Sequence, residues 1–317
     1  MGDIESASEK LKSVTTEISS VVIDKQEIVK DILATMISGG HILLEDVPGV
    51  AKTLTARLIS QAMNMKFSRI QFTPDLLPSD ITGMNIYDRN TSSFRFVRGP
   101  VFTNILLADE INRAPPKTQS ALLEAMQEYQ VTVDGNSMPL EKPFMVIATQ
   151  NPIEFEGTYP LPEAQLDRFL SKISFGYPTF TGEVGMLKNR ITNMSDNYTV
   201  KRVIDAEEFM KIQDTLERIH VDDVILEYIV KIVNSTRKNP QVILGSSPRG
   251  SLAMMKLSRS FALIDGRDYV LPDDVKKSAR ISLPHRIMLK TEAMLRNIKK
   301  EDVVEEIVEK MVPVPKI

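Results

Sequence analysis

Apolar positions along the chain follow two rhythms. Over residues 5 to 20 they recur at helical spacing, with Leu11, Val14 and Ile18 on one face. Residues 25 to 38 repeat the pattern with Ile28, Ile32, Leu33 and Met36, until Gly39-Gly40 end it. The rhythm then changes. Ile42 to Leu44 is a short apolar run of the kind a buried parallel strand shows. A turn with Pro48 and Gly49 follows, and Leu54, Leu58, Ile59, Ala62 and Met63 resume the helical period. Phe67 to Phe72, Asn104 to Ala108, Phe144 to Ala148 and Ile173 to Phe175 are further candidate strands. Pro115 and Pro116 suit the first turn of a helix running to about Glu128, and Leu161 to Phe169 suggests a short helix carrying Arg168. Strands alternating with helices predict an α/β domain built on a parallel sheet.

Two segments interrupt that alternation. Thr73 to Pro100 holds Pro74, Pro78, Gly83 and Gly99, and a hairpin with arms Asn85–Tyr87 and Phe94–Val97 around Asp88-Arg89-Asn90-Thr91. An irregular surface loop is the alternative. Gln130 to Gly135 alternates and turns at Asp134-Gly135, a second hairpin signal. Gly176-Tyr-Pro-Thr-Phe-Thr-Gly182 punctuates the chain as a domain boundary would. Beyond it the pattern is helical, over 183–191, 205–219, 222–238, 248–264, 272–280 and 300–311, with only Val242–Leu244 suggesting a strand. The division expected is an α/β core of 1–178 and a small all-helical lid of 179–317.

Composition narrows the possible functions. At 317 residues the chain has room for about two domains. Its 39 basic and 42 acidic residues leave a net charge of −3, so no global attraction to nucleic acid or acidic membranes is expected. With no Cys there is no disulfide framework, thiol nucleophile or Cys-ligated metal, and His41, His220 and His285 are too scattered in sequence to suggest a site. No apolar run reaches the roughly 20 residues of a membrane span, and the N-terminus lacks a signal-peptide core. Gly2 and Ser6 match the short N-myristoylation pattern, at a length where chance agreement is the better account. A cytoplasmic protein is the expectation.

The chemistry clusters at predicted strand ends. In Glu45-Asp46-Val47-Pro48-Gly49-Val50-Ala51-Lys52-Thr53-Leu54, a strand passes through a tight loop into a helix at Lys-Thr. That is the arrangement of a P-loop. Backbone N–H groups and the helix N-terminus meet phosphates, Lys52 reaches the β and γ phosphates, and the Thr53 hydroxyl holds Mg²⁺. The pattern asks for Gly where Asp46 and Ala51 stand. An alanine held at positive φ in the phosphate nest costs roughly 1–2 kcal/mol. The strand after Asn104 ends in Asp109 and Glu110, a Walker B shape: Asp109 suits Mg²⁺ through its water shell, and Glu110 suits polarising a water. A solvated acidic turn is the bland alternative. Asn151, at the end of another strand, suits orienting that water, although Asn-Pro is also a good turn starter. Arg249 falls in a helical first turn, where it opposes the helix dipole, so a phosphate partner would explain it better than stability does.

Taken together, Leu107-Ala-Asp-Glu-Ile-Asn-Arg-Ala-Pro-Pro-Lys-Thr-Gln119, Ile147-Ala-Thr-Gln-Asn-Pro152 and Gly157-Thr-Tyr-Pro-Leu-Pro-Glu-Ala-Gln-Leu-Asp-Arg-Phe169 resemble the MoxR family of AAA+ ATPases, over about residues 20 to 290. The resemblance implies an AAA+ P-loop core and a helical lid. It assigns Lys52 and Thr53 to Walker A, Asp109 and Glu110 to Walker B, and Asn151 to sensor 1. It assigns Arg168 to the arginine finger and Arg249 to sensor 2. Residues 80–100 match the helix-2 insert and 130–140 the pre-sensor-1 hairpin. Asp24 stands where the adenine-side motif usually has Gly. The resemblance also implies a homo-oligomeric ring, most often a hexamer. It further implies chaperone-like action on partner proteins, often ones with von Willebrand factor type A domains.

The function expected is therefore Mg²⁺-dependent ATP hydrolysis coupled to remodelling, assembly or cofactor insertion of a partner. Arg168 is expected to act across a subunit interface and Arg249 on its own subunit's nucleotide. Two alternatives belong to other classes. A nucleic-acid motor would use Arg89, Arg95 and Arg98 on the insert, and salt-dependent DNA binding would reveal it. A nucleotide-binding switch would bind without hydrolysis, against which Glu110, Asn151 and Arg168 argue.

Overall fold

The structure is a computed structural model that describes residues 2–45, 49–151, 157–195 and 197–315. Helices α1 (Gly2–Ser19) and α2 (Gln26–Ile37) open the chain, followed by β1 (Ile42–Glu45), α3 (Lys52–Ala62) and β2 (Phe67–Gln71). The first insertion holds a single helical turn, α4 (Pro78–Thr82), and the hairpin β3 (Gly83–Asp88) and β4 (Ser93–Arg98). Then come β5 (Ile105–Asp109), α5 (Pro116–Glu128), the second hairpin β6 (Gln130–Val133) and β7 (Asn136–Pro139), and β8 (Met145–Gln150). The short α6 (Glu163–Leu166) and β9 (Ser171–Ile173) complete the sheet-bearing part. The remainder is α7 (Phe180–Asn193), α8 (Ala206–Thr215), α9 (Asp223–Lys238), β10 (Val242–Leu244), α10 (Pro248–Asp265), α11 (Pro272–Ser282), β11 (Met288–Leu289), α12 (Thr291–Leu295) and α13 (Lys300–Glu306). From α13 the chain winds on as a π-helix to Met311.

The sheet runs in the order β2-β5-β8-β1-β9, and every neighbouring pair is parallel. Its three central strands, β5, β8 and β1, read as nearly continuous apolar runs because both faces are covered, whereas the edge strands β2 and β9 carry polar residues. Alternate side chains serve two different cores. Ile42, Leu44, Ile105, Leu107 and Ile147 join α1, α2 and α3 on one face. Leu43, Leu106, Ala108, Val146 and Ala148 join α5 and the base of the insertion on the other. The first of these cores continues without a break into the lid, taking in Phe209, Ile229, Leu257, Ala279 and Ile307. The lid is helical except for a short antiparallel ribbon, in which Val242 pairs with Leu289 and Leu244 with Met288. His41 is one of the buried polar groups of the sheet part. It accepts from Val146 N–H at Nδ1 (3.0 Å) and donates from Nε2 to Met126 O (2.8 Å), so it is a satisfied structural histidine.

Both interruptions of the alternation are hairpins. In the first, both expected arms are present, Tyr87 pairing with Phe94 and Asn85 with Phe96, but Asp88 pairs with Ser93, so the turn falls at 89–92, one residue later than 88–91. Gly83 closes its base at φ +92°, where a Cβ would lie 2.2 Å from Val97 O, so a side chain there would break the pairing. The tip of the second hairpin meets the first arm of the first, near its base: Asn85 Nδ2 donates to Asp134 Oδ2 (2.7 Å).

Three further expectations shift. Leu161 to Phe169 is not one helix. Pro160 and Pro162 delay helix formation to Glu163, and Arg168 follows α6 in a turn, its N–H on Gln165 O. The last core strand is β9, two residues earlier than Ile173–Phe175, because its register is set by Ile42↔Ser171 and Leu44↔Ile173. The 183–191 helix begins at Phe180, where the Thr179 side chain caps it by accepting from Gly182 N–H.

Candidate functional site

The C-terminal ends of β1, β5 and β8 converge on one cavity, as expected for an open parallel sheet. The cavity, of about 450 Å³, is lined by Gly49 through Leu54, Arg69, Gln71, Asp109, Glu110, Thr149, Gln150 and Asn151. Asp46, Val47 and Pro48, also expected to contact nucleotide, lie outside the described residues. Gly49 has φ +87° and Ala51 φ +65°, so the left-handed conformation expected of a phosphate nest is present even where alanine replaces glycine. Ala51 is the N-cap of α3 and has no side chain that could accept from the helix's first N–H groups. Lys52 and Thr53 begin that helix, directly above the nest. A helix N-terminus, a nest and a lysine together favour a polyanionic ligand. The Thr53 hydroxyl and the Asp109 carboxylate are hard oxygen donors of the type Mg²⁺ takes alongside phosphate oxygens. The residues present therefore fit a Mg²⁺-nucleotide.

Strand register explains how the acids are held. Gln71 lies opposite Asp109, and Ala108 opposite Ala148, so β2 and β8 flank both acids. Arg69 donates to Asp109 Oδ2 from Nη2 (2.7 Å) and Nε (3.1 Å), while Thr149 Oγ1 donates to Asp109 Oδ1 (2.6 Å). The same Thr149 oxygen accepts from Glu110 N–H (2.9 Å). Glu110 sits in the left-handed region at φ +56°. Its Oε2 receives Gln71 Nε2 (2.8 Å) and pairs with Arg113 Nε (3.0 Å). Gln150 Nε2 donates to Glu45 Oε1 (2.6 Å), and Lys172 pairs with Glu45 and with Glu301 of α13. Burial opposes the charge on Lys172, but those two carboxylates outweigh it and hold its pKa above the usual lysine value. Arg69, Gln71 and Thr149 were missed in the sequence. The signal is period-2 spacing on strands adjacent to the acids, visible only once the strand order is known.

The two arginines are elsewhere. Arg168 and Arg249 line a second cavity of about 310 Å³, together with Gly40, His41, Asp167, Leu170, Lys256 and Arg286. Gly40 and His41 precede β1, and Leu170 precedes β9, so this cavity lies at the N-terminal ends of the strands. A four-residue β1 and its flanking turns separate the two cavities, which places them on the order of 15 Å apart or more. Arg249 is thus not beside this chain's own P-loop. The helix it starts packs on α1 and α2, and its guanidinium lies 3.6 Å from Asp167. Arg168 Nη1 donates to Leu123 O (3.0 Å). Asp24, at φ +64°, has the conformation glycine would favour, and its carboxylate accepts from Thr179 N–H (3.0 Å). That bond holds the Asp24 pKa below its ordinary value.

A left-handed loop opening a helix at Lys52-Thr53, a strand ending in two acids and a polar strand end around one cavity are the arrangement of an ATP-hydrolysing protein of the AAA class. The family model for the ATPase family associated with various cellular activities (AAA) matches residues 41–171, and an AAA lid domain model matches residues 234–307. The chain is 51% identical to the uncharacterized protein YeaC of Bacillus subtilis, over 94% of this chain and 92% of that one. It is 42% identical to the chaperone MoxR1 of Mycobacterium tuberculosis, over 94% and 81%. A crystal structure of a candidate ATPase from Cytophaga hutchinsonii superimposes with a TM-score of 0.91 at 40% identity, covering 99% of this chain and 98% of that one. The chain belongs to the MoxR family of AAA ATPases. The helical lid and five-stranded parallel sheet accord with that assignment. Among the described residues no helix is long and apolar enough to cross a membrane.

Proposed function

We propose that the protein hydrolyses ATP at a site shared between identical subunits of a closed ring, and uses the cycle to remodel a partner protein. One observation supports this most. The phosphate nest and both acids stand at one end of the sheet, while Arg168 and Arg249 stand at the other. Neither arginine can serve its own nucleotide without a large rearrangement, but a head-to-tail neighbour would bring both to the next P-loop, and head-to-tail contacts are what close a ring. Both arginines then act in trans, rather than one in each mode. Six subunits, a cytoplasmic setting and functional units of 1–178 and 179–317 are the assignments that family likeness favours.

In this mechanism Lys52 and the α3 N-terminus bind the β and γ phosphates of ATP. Thr53 and Asp109 would hold Mg²⁺, which neutralises phosphate charge when bound. Gln71 and Arg113 both address Glu110 Oε2, and Oε1 is the oxygen assigned to the attacking water. Asn151 orients that water, and the neighbour's Arg168 and Arg249 offset the charge that spreads over the γ phosphoryl oxygens. The joined hairpins 83–98 and 130–139 add length without lining the nucleotide cavity, which suits contact with the partner protein. A partner bearing a von Willebrand factor type A domain is the candidate that family likeness suggests.

Lys52→Ala and Arg168→Ala, each nearly inactive alone, test the shared site. Mixed and allowed to exchange, some Arg168→Ala pockets gain a neighbour with an intact Arg168, and hydrolysis partly returns. Verified co-assembly with no return of activity would overturn the shared site.

A further inference from the structure

The segment that carries Arg168 is gripped from the lid. Arg286 follows α11 and is almost completely enclosed, its side chain 4% exposed. Its Nε donates to Asp167 Oδ1 (2.8 Å). Nη2 donates to Phe169 O (2.6 Å) and, at longer range, to Asp167 O (3.4 Å). Nη1 donates to Leu170 O (3.1 Å) and closely to Ser282 O, its own α11 terminus. His285 Nε2 lies 3.0 Å from Phe169 O, against the same carbonyl. One guanidinium thus engages three of the four residues from Asp167 to Leu170 and skips only Arg168, whose side chain is held on the opposite flank by Leu123 O. An arginine fork is rigid and presents five donors in fixed directions, so it can fix backbone geometry in a way a single ammonium cannot.

Stability alone is a poor account of this arrangement. The bonds are concentrated on one short turn at the mouth of the basic cavity, in a chain whose lid is already joined to the core by a continuous apolar cluster. We propose that Arg286 is a positioning residue for the arginine finger: from the lid, it fixes the Asp167–Leu170 turn so that Arg168 is presented to the neighbouring subunit's nucleotide. This rests on the trans role of Arg168 proposed above. Arg286 itself touches no nucleotide. Its effect is directional, because disturbing it impairs what a subunit lends and leaves what that subunit binds intact.

The test uses Arg286→Lys in the full-length assembled protein, with folding and assembly checked by circular dichroism and light scattering. Its own P-loop lies at the far end of β1, so the KM for ATP and the affinity for a non-hydrolysable ATP analogue stay near wild type while kcat falls at least fivefold. Mixed with Lys52→Ala subunits, which lack a pocket but keep Arg286 and Arg168, Arg286→Lys subunits regain activity per intact pocket. A purely structural lesion would weaken nucleotide binding or assembly and would not be rescued by a neighbour. If Arg286→Lys does not assemble, Asp167→Asn, which removes the carboxylate while keeping its shape, is put through the same mixing and must behave the same way. Wild-type kcat in the folded variant, or a fall in kcat with no rescue, overturns the proposal. The Arg168→Ala plus Lys52→Ala mixture is run alongside: recovery there without recovery for Arg286→Lys removes only the positioning role, whereas recovery in neither removes the trans reading as well.

Discussion

Ala51 offers a quantitative test of the phosphate nest. The residue sits at φ +65°, ψ +18°, with its Cβ in the left-handed region. For a non-glycine residue that conformation costs roughly 1–2 kcal/mol. Ala51→Gly removes the strain, but the unfolded chain gains freedom worth about 0.4–1 kcal/mol, which offsets part of the gain. The net expectation is a stabilisation of about 0.5–1 kcal/mol, or a rise in Tm of about 1–3 °C for a chain of this size. Ala51→Val is the opposing control, because β-branching makes positive φ much less accessible. Scanning calorimetry of the nucleotide-free proteins should rank Gly above Ala above Val. Calorimetric titration with an ATP analogue should show Ala51→Gly binding as well as wild type or better. A Tm drop on Ala51→Gly, or a loss of analogue affinity of tenfold or more, would show that the loop is not a left-handed nest.

Three further outcomes follow from the site and the core. Thr149→Val removes a hydrogen bond to an ionised carboxylate, worth about 1.5–3 kcal/mol, so kcat should fall about 10- to 100-fold in steady-state hydrolysis. Thr149→Ser should retain most of the activity, and normal turnover in Thr149→Val would remove Thr149 from the site. Glu110→Gln keeps shape and loses the carboxylate. It should bind ATP with Mg²⁺ in equilibrium titration yet hardly turn over, and a variant that cannot bind would place Glu110 in binding instead. The third concerns pH. Burial pushes the His41 pKa down to about 4 from 6.5, so between those values the unfolded chain holds a proton that the folded chain refuses. Stability is therefore lost as pH falls through that window, by up to about 1.4 kcal/mol per pH unit from this group. His285, also depressed by burial, acts in the same direction. Asp31, raised by burial to about 6 from 3.8, acts oppositely, its contribution being lost as pH rises through 6. Urea midpoints of His41→Asn should change less steeply between pH 7 and 5 than those of wild type, and equal slopes would refute the assignment.

Much of this was legible in the sequence because the relevant signals are local. A four-residue strand, a positive-φ turn and a lysine at a helix start lie within a dozen residues, and the hairpin around Asp88-Arg89-Asn90-Thr91 declares itself through alternation and turn chemistry. What stayed hidden depends on strand order and docking. Thr149 reaches Asp109 only because β8 lies beside β5, and Arg69 and Gln71 reach the acids only because β2 flanks them on the other side. The placement of Arg249 follows from where α10 packs, which no spacing along the chain encodes. The α6 region misled because Leu161 and Leu166 suggest a helical face while Pro160 and Pro162 deny it backbone donors.

The unbroken core between sheet and lid has a mechanical consequence. Swinging the lid away would expose Leu257, Ala279 and Ile307 together with the faces of α1 and α2 that cover Ile42 and Leu44, at about 25 cal/mol for every Å² of apolar surface wetted. The sheet and lid of one copy therefore hold together as a single block, and in the ring proposed above any working stroke would fall at the seams between protomers and not at a hinge inside one.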